Sequence, residues 1–264
     1  MDYTAKFDEF SDKFLEYGQS FINDDQDLKS AVRIKTDHTF RVCDEIILLS
    51  ESLCLDERNS FISKCTALLH DIGRFEQFKL YKTFSDRKSV NHAELAISII
   101  DRLNFLRDLE NSSVEIIKTA VKYHNAKLLP DDLDKTQEMF CKLIRDADKL
   151  DIFRIAALHY SNPQPGHKET IEVGIPDIPS VTPEICESVY RGESVDFSRI
   201  RSLNDFKIIQ AGWVYDLNFP ASFSLLKTRG HLDVICSCIP QTPEVKRVIE
   251  KTMEYLDKKS LPEL

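Results

Sequence analysis

Glycine is scarce in this chain, and its placement constrains the fold more than any other feature. The 264 residues include seven glycines, of which one, Gly73, lies between Gly18 and Gly166, and the first proline is Pro130. Glycine supplies the positive-φ positions that hairpin turns and phosphate-cradling loops require. Glycine-rich nucleotide-binding fingerprints are therefore excluded, and a hairpin-rich β fold is disfavoured. We predict an all-α protein in which residues 1–160 are almost entirely helical.

Apolar residues recur at helical spacing along this stretch. The periodicity predicts a first helix that ends near Gly18 and further helices over 27–34, 37–54, 57–71, 91–108, 112–125 and 134–160. Nine of the ten prolines lie in 163–262, where we predict shorter helices over 183–191, 203–217, 221–229 and 243–258, with an irregular stretch at 161–182. We expect a helical core, 1–160, and a helical C-terminal extension, 161–264, packed on it within one globular unit.

Charge and cysteine content limit the partners and the compartment. Thirty-five basic residues stand against 44 acidic ones, a net charge of −9. Such a surface repels long nucleic acids, although a local basic patch or a metal can still hold a small phosphorylated ligand. The seven cysteines contain no C-x-x-C pair, which indicates free thiols in a reducing compartment. With an acidic N-terminus and no long apolar run, we expect a cytoplasmic protein without a membrane partner. A homo-oligomer is compatible with the sequence.

Four histidines carry the strongest chemical signal. Each lies on the apolar stripe of a different predicted helix, and one of them is followed at once by Asp71; they are His38, His70, His92 and His124. A single inward histidine is usually a core residue with a hydrogen-bond partner. Four of them beside an inward carboxylate indicate a divalent metal site, because one cation can satisfy several buried imidazoles and carboxylates together.

A further carboxylate comes from the predicted helix over 134–160. With Phe140 at 0° and about 100° per residue, Asp151 falls near 20°, Asp148 near 80° and Asp146 near 240°. The apolar stripe of the helix lies near 0°. The helix face therefore favours Asp148 or Asp151 over Asp146 as an inward ligand and does not decide between the first two.

These residues, in this order and spacing, resemble the motif series of the HD superfamily of metal-dependent phosphohydrolases. The series comprises His38, Leu68-Leu69-His70-Asp71-Ile72-Gly73, His92, His124 and Ala147-Asp148 within 38–151. The resemblance implies an all-helical HD-domain-like core in which His38, His70, Asp71 and Asp148 hold one divalent metal. It further implies that His92 and His124 serve a second metal bridged by Asp71. The family pattern supports Asp148, although some branches use the position of Asp146.

The ligand types and the resemblance together predict the chemistry. Imidazole and carboxylate ligands suit Mn, Fe, Co, Ni, Zn or Mg, as one or two ions. We expect a hydrolase that cleaves a small phosphate ester, possibly of nucleotide type, by attack of metal-bound hydroxide. Asp71 and Lys149 are the candidate catalytic residues, Lys149 as a phosphate contact. The alternatives are a non-catalytic, metal-stabilised regulatory HD protein and, less favoured, a di-iron oxygenase.

A basic segment lies between His70-Asp71 and His92. Five basic residues oppose two acidic ones over 74–88, so this segment is either a solvated charged loop or a phosphate-binding element. Arg74, Arg87 and Lys88 are the candidate phosphate ligands. Gly73 is expected to end the helix that carries the His-Asp doublet and to leave backbone room for a phosphate.

Overall fold

A computed structural model of the chain describes residues 2–162, 171–172 and 174–260. Helices dominate these ranges, and no β-strand occurs within them, which confirms the all-α prediction. The chain divides into two compact units, Met1–Asp148 and Lys149–Leu264. The division falls inside one long helix, and the predicted boundary between a core and an extension at residue 160 stays a prediction.

The first unit consists of helices that lie close to the predicted ones. They are α1 (Tyr3–Gln19), α2 (Gln26–Ser52), α3 (Glu57–Leu69), α4 (Gly73–Tyr81), α5 (His92–Arg102), α6 (Asn111–Tyr123) and the part of α7 (Lys135–Ser161) up to Asp148. A 3-10 turn, Asp86–Lys88, precedes α5. Asp2, Asp25, Asp56 and Asn91 begin α1, α2, α3 and α5 by accepting backbone N–H groups of the first turn, which stabilises each start.

Helix α3 lies at the centre of this unit. It packs against α1, α2 and α6, while α4 packs against α2 and α5. The buried side chains between these helices include Phe10, Phe14, Phe61 and Phe75, each at most 2% exposed. Because α3 is surrounded, the residues that follow its last turn, His70 and Asp71, lie deep inside the unit.

Helix α2 differs from the prediction of two helices over 27–34 and 37–54. It is continuous from Gln26 to Ser52. Residues 35–37 interrupt the apolar stripe, but they contain no glycine or proline that would stop a helix. The consequence is that Lys35 lies on the same helix as His38, one turn earlier.

The basic segment 74–88 is also more ordered than a solvated loop. Its first part is helix α4, and Lys82 ends that helix in the left-handed region, with φ 53°. The chain then reaches the 3-10 turn over 86–88. The predicted ends at 71 and 108 are corrected as well, because α3 ends at Leu69 and α5 at Arg102.

Gly73 has a different role from the expected one. It does not end α3; it begins α4, and it is not among the glycines with positive φ. A Cβ at this position would overlap the carbonyl oxygen of His92 and lie 2.9 Å from the backbone nitrogen of Ala96. The expectation of a C-terminal cap that leaves room for a phosphate is therefore wrong. Glycine is required here because the start of α4 touches the backbone of α5.

The second unit contains shorter helices. They are the last part of α7, α8 (Pro183–Tyr190), α9 (Leu203–Gly212), α10 (Pro220–Arg229), α11 (His231–Ser237) and α12 (Pro243–Lys259). The predicted helix over 203–217 is divided into α9 and a 3-10 turn, and α11 was not predicted. Its core includes Ile185, Val189, Ile208, Val245 and Val248. Much of the predicted irregular stretch, residues 163–170 and 173, lies outside the described residues.

Two further observations concern the chain as a whole. All seven cysteines are free thiols, and five of them are buried. Among the helices of the described ranges, none combines the length and the apolar character needed to cross a lipid bilayer.

Candidate metal centre

The structure brings all six predicted metal ligands together inside the first unit. His38 lies in the middle of α2, His70 and Asp71 follow α3, His92 is the first residue of α5, His124 follows α6, and Asp148 lies on α7. The four histidines and Asp71 are at most 5% exposed. Five separate segments thus contribute polar side chains to one buried cluster.

One half of the cluster surrounds a single oxygen of Asp71. Asp71 Oδ2 lies 3.6 Å from His38 Nε2 and 3.7 Å from His70 Nε2. Asp148 Oδ1 faces the same two histidines, at 3.1 Å from His38 Nε2 and 3.9 Å from His70 Nε2. Two imidazoles and two carboxylates therefore converge on one small space.

The other half of the cluster faces the second oxygen of Asp71. Asp71 Oδ1 lies 3.3 Å from His92 Nε2 and 3.9 Å from His124 Nε2, and these two nitrogens are 2.9 Å apart. In each of the two triads, His38–His70–Asp71 and Asp71–His92–His124, the ligand atoms all lie within 4.8 Å of one another. Each triad is thus compact enough for one cation, and Asp71 belongs to both.

Hydrogen bonds fix the orientation of three imidazoles. Nδ1 of His70 is 2.7 Å from the carbonyl oxygen of Ala67, and Nδ1 of His124 is 2.7 Å from that of Val121. Nδ1 of His92 is 2.7 Å from a carboxylate oxygen of Asp86. These oxygens only accept, so each Nδ1 donates and each Nε2 of the neutral ring carries a lone pair. Histidine ligands of metals are commonly held in this way.

Whether the donor set suits a metal can be judged from the surroundings of these Nε2 lone pairs. His70 Nε2 is buried and has no hydrogen-bond partner among the described residues, and the Nε2 atoms of His92 and His124 direct lone pairs at each other across 2.9 Å. Buried lone pairs without a donor are unfavourable. A divalent cation held by these nitrogens and Asp71 would remove this cost, so the donor set fits such an ion.

The protonation states also suit metal binding. Burial lowers the pKa of His92 and of His124 to about 4, and it lowers the pKa of His70 as well. Burial by itself would raise the pKa of Asp71, but the charges of Lys35, His70 and Arg74 outweigh it and hold that pKa well below its usual value. Near neutral pH the cluster therefore offers neutral imidazoles and an ionised carboxylate, the forms that bind metals.

Asp86 contacts the cluster through His92, a relation that sequence reasoning missed. Its carboxylate accepts hydrogen bonds from His92 Nδ1, from Arg74 Nη1 at 3.0 Å, from Gln77 Nε2 at 2.8 Å and from Asn125 Nδ2 at 3.1 Å. These contacts outweigh burial and lower the pKa of Asp86 to about 2. In the sequence Asp86 is one of two acidic residues in a basic segment, and no spacing rule connects it with His92.

Lys35 is the second residue that was missed. Its Nζ lies 2.8 Å from Asp71 Oδ2, and its side chain is 17% exposed. The signal that could have found it is the i, i+3 spacing to His38, which places both side chains on one helix face. The predicted break in α2 between residues 34 and 37 concealed that relation.

The predicted phosphate ligands have different surroundings. Arg74 is in the cluster, where Nε is 3.2 Å from Asp71 Oδ1 and Nη1 donates to Asp86, Gln77 and the carbonyl oxygen of Phe84. Arg87 and Lys88 are exposed on the 3-10 turn. Lys149 belongs to the second unit, where its ammonium lies 2.7 Å from Asp216 Oδ2. A phosphate contact by any of the four stays a prediction.

The three candidate aspartates of α7 are all largely buried. Asp148 contacts His38 and His70, Asp146 is 0% exposed, and Asp151 is 0% exposed and belongs to the second unit. The burial of Asp146 shows that an angle of about 240° from the apolar stripe does not make a residue of this helix face solvent. The contacts with the histidines support Asp148, whose role as a ligand stays a prediction.

Comparison with known proteins agrees with this geometry. The family model of the HD domain matches residues 36–153, the range that contains all six candidate ligands. Neither the curated proteins nor the solved structures gave a match. HD domains bind divalent metals, and their superfamily is one of metal-dependent phosphohydrolases. The match over residues 36–153 supports membership of the HD superfamily.

Proposed function

We propose that this protein is a metal-dependent hydrolase that cleaves a small phosphate ester of nucleotide type. The observation that carries the proposal is the Asp71 carboxylate, whose two oxygens face two different pairs of histidines. One carboxylate between two histidine pairs suits two cations side by side, the arrangement that many phosphoryl-transfer enzymes use.

The side chains have distinct parts in the proposed site. His38, His70, Asp71 and Asp148 would hold one divalent ion, and Asp71, His92 and His124 a second. Such an ion lowers the pKa of a bound water and polarises a phosphoryl oxygen. The carbonyl groups of Ala67 and Val121 and the carboxylate of Asp86 keep the Nε2 atoms of three histidines turned inward. Mn, Fe, Co, Ni, Zn and Mg are compatible with these ligands.

The surroundings of the cluster favour a small substrate. The histidines and Asp71 are almost completely buried, so a compact phosphoryl group fits such a site better than a polymer does. The net charge of −9 repels a long phosphate backbone, and a metal-loaded centre would supply the positive charge that a small phosphate ester needs.

The test is an assay of metal-stripped protein after addition of Mn²⁺ or Ni²⁺. We expect phosphate release from at least one member of a panel of phosphomonoesters, phosphodiesters and nucleotides. Asp71→Asn should lower kcat/KM by at least about a thousandfold, because it removes a charged ligand from both halves of the centre. Asp108→Asn is the matched control, since Asp108 pairs with Lys6 at the surface of the same unit.

Two results would contradict the proposal. Absence of hydrolysis with every metal, together with unfolding when the metal is removed, would support a metal-stabilised regulatory protein. Tightly held iron with uptake of O₂ would support the oxygenase.

A further inference from the structure

The environment of Lys35 shows an ammonium group with unused capacity. Its hydrogen bond to Asp71 Oδ2 is the one that this side chain makes with the described residues, and the ring of Phe84 lies 5.2 Å from Nζ. An ammonium carries three N–H donors. Two of them are therefore available to a further acceptor at the edge of the candidate metal centre.

Lys35 also lies where the cluster meets solvent. The side chains of His38, His70, Asp71, His92 and His124 are at most 4% exposed, whereas those of Lys35 and Asp148 are 17% and 19% exposed. Asp86, whose side chain is 30% exposed, borders the His92 side of the cluster, and a solute that reaches the side of His38 meets the side chains of Lys35 and Asp148 first. One of them is a carboxylate that already faces two histidines, and the other is a cation.

Arg74, the other cation on Asp71, differs from Lys35. Its Nε and Nη1 atoms serve four acceptors, namely Asp71, Gln77, Asp86 and the carbonyl oxygen of Phe84. Its side chain is 14% exposed. The guanidinium therefore holds the α4–α5 connection together, whereas the ammonium of Lys35 has no such commitment.

We propose that Lys35 binds a phosphoryl oxygen of the substrate, a role that rests on the proposed function. The reason is electrostatic. Asp71 Oδ2 is a candidate metal ligand as well as the partner of Lys35, so a divalent cation competes with the ammonium for that oxygen. If Asp71 were neutralised by a bound cation, the positive charge of Lys35 would be available to an anion, and lysine is a common point-charge ligand of phosphate.

A purely structural role for Lys35 predicts different behaviour. If the ammonium serves only as the counter-charge of buried Asp71, its removal weakens the fold or the metal site and leaves the affinity of the loaded protein for phosphate unchanged. If it binds phosphate, its removal weakens phosphate binding, while Mn²⁺ binds at least as tightly because a competitor has gone.

The experiment measures two affinities by titration calorimetry, that of metal-free protein for Mn²⁺ and that of Mn²⁺-loaded protein for inorganic phosphate. We expect Lys35→Met to weaken phosphate binding about tenfold to a hundredfold, the range for loss of a charge-assisted hydrogen bond, without weaker Mn²⁺ binding. Lys35→Arg should restore most of the phosphate affinity. Lys35→Gln, which is polar and uncharged, gives the same comparison if the methionine variant does not fold.

Lys6→Met is the matched control. Lys6 is also a mostly buried lysine, with two carboxylate partners, Glu9 at 2.8 Å and Asp108 at 3.0 Å, and with the ring of Phe10 at 5.1 Å, but it is not part of the cluster. In Lys6→Met, the affinities for Mn²⁺ and for phosphate should both equal those of the unmodified protein. Equal phosphate affinity in the unmodified and Lys35 variants, an equal loss in Lys6→Met, or no phosphate binding by the loaded protein would each overturn the proposal.

The two proposals fail in different ways. If loaded protein binds phosphate through Lys35 but hydrolyses no ester, the proposed function is wrong and the phosphate contact stands. If esters are hydrolysed and Lys35→Met changes neither phosphate affinity nor KM, the contact is wrong and the proposed function stands.

Discussion

At the scale of single residues, the cluster depends on which nitrogen of each histidine carries the proton. Three imidazoles donate from Nδ1 to a carbonyl or carboxylate oxygen and turn Nε2 inward. Two of those acceptors are backbone groups one turn away, which any helix end supplies. The third is the side chain of Asp86, so His92 is the histidine whose orientation depends on a residue outside its own helix.

This dependence predicts the effect of Asp86→Asn. The amide presents either an NH₂ group or a weaker acceptor to His92 Nδ1, so the ring loses its fixed orientation and its basicity. We expect Mn²⁺ affinity to fall about tenfold to a hundredfold, the usual range for such supporting residues, as measured by titration of metal-free protein. Asp101→Asn is the control, because Asp101 is an exposed carboxylate on the helix of His92 and pairs with half-buried Lys118. An unchanged affinity in Asp86→Asn would show that His92 is held by other contacts.

At the scale of helices, the close approach of α4 to α5 determines where the cluster can form. Gly73 starts α4 against the backbone of His92 and Ala96, and His92 is itself a candidate ligand. Two motifs that contribute three of the six candidate ligands, His70-Asp71 and His92, are thus held together by a backbone contact at Gly73 that leaves no space for a side chain.

We therefore expect Gly73→Val to disrupt the centre. The added carbons must push α4 away from α5, which should cost about 3 kcal/mol of folding free energy, the upper end of the usual overpacking cost, and weaken Mn²⁺ binding by displacing His92. Gly192→Ala is the comparison, because Gly192 has φ +73° and its nearest neighbour to an added Cβ is 3.8 Å away. That variant should lose about 1–2 kcal/mol from backbone strain and keep its Mn²⁺ affinity. Equal metal affinity in both variants would contradict the packing argument.

At the scale of the whole molecule, burial of several neutral histidines makes stability depend on pH. Without metal, the folded pKa of His92 and of His124 is about 4, whereas an unfolded histidine has a pKa near 6.5. Between these values the unfolded chain binds more protons than the folded one. The contribution of these two histidines to the free energy of unfolding is therefore complete above pH 6.5 and is lost as the pH falls toward 4.

We expect the free energy of unfolding to fall by about 1.4 kcal/mol per pH unit for each of these histidines as the pH is lowered. His70 contributes in the same direction. The carboxylates Asp71 and Asp86, whose pKa values are lowered, add their own loss only below about pH 4. Urea midpoints of metal-free protein, followed by circular dichroism from pH 7 to pH 5, measure the slope. His124→Gln should reduce it, and a midpoint that does not change with pH would contradict the expected neutral histidines.

The sequence by itself determined the helical class and the chemical types at the site. Periodicity and the shortage of glycine predicted helices near those observed, because the apolar face of a helix is a local property of the chain. The identities and order of His38, His70, Asp71, His92 and His124 indicated a metal site and the HD superfamily. Tertiary structure decided the rest. Asp71 divides its two oxygens between two pairs of histidines, Asp86 holds His92, Lys35 reaches Asp71, and Gly73 is required by the backbone of α5. None of these relations is periodic. Asp86 and His92 are six residues apart, whereas Lys35 and Asp71 are 36 apart, and in both cases the contact forms only once separate segments have packed together.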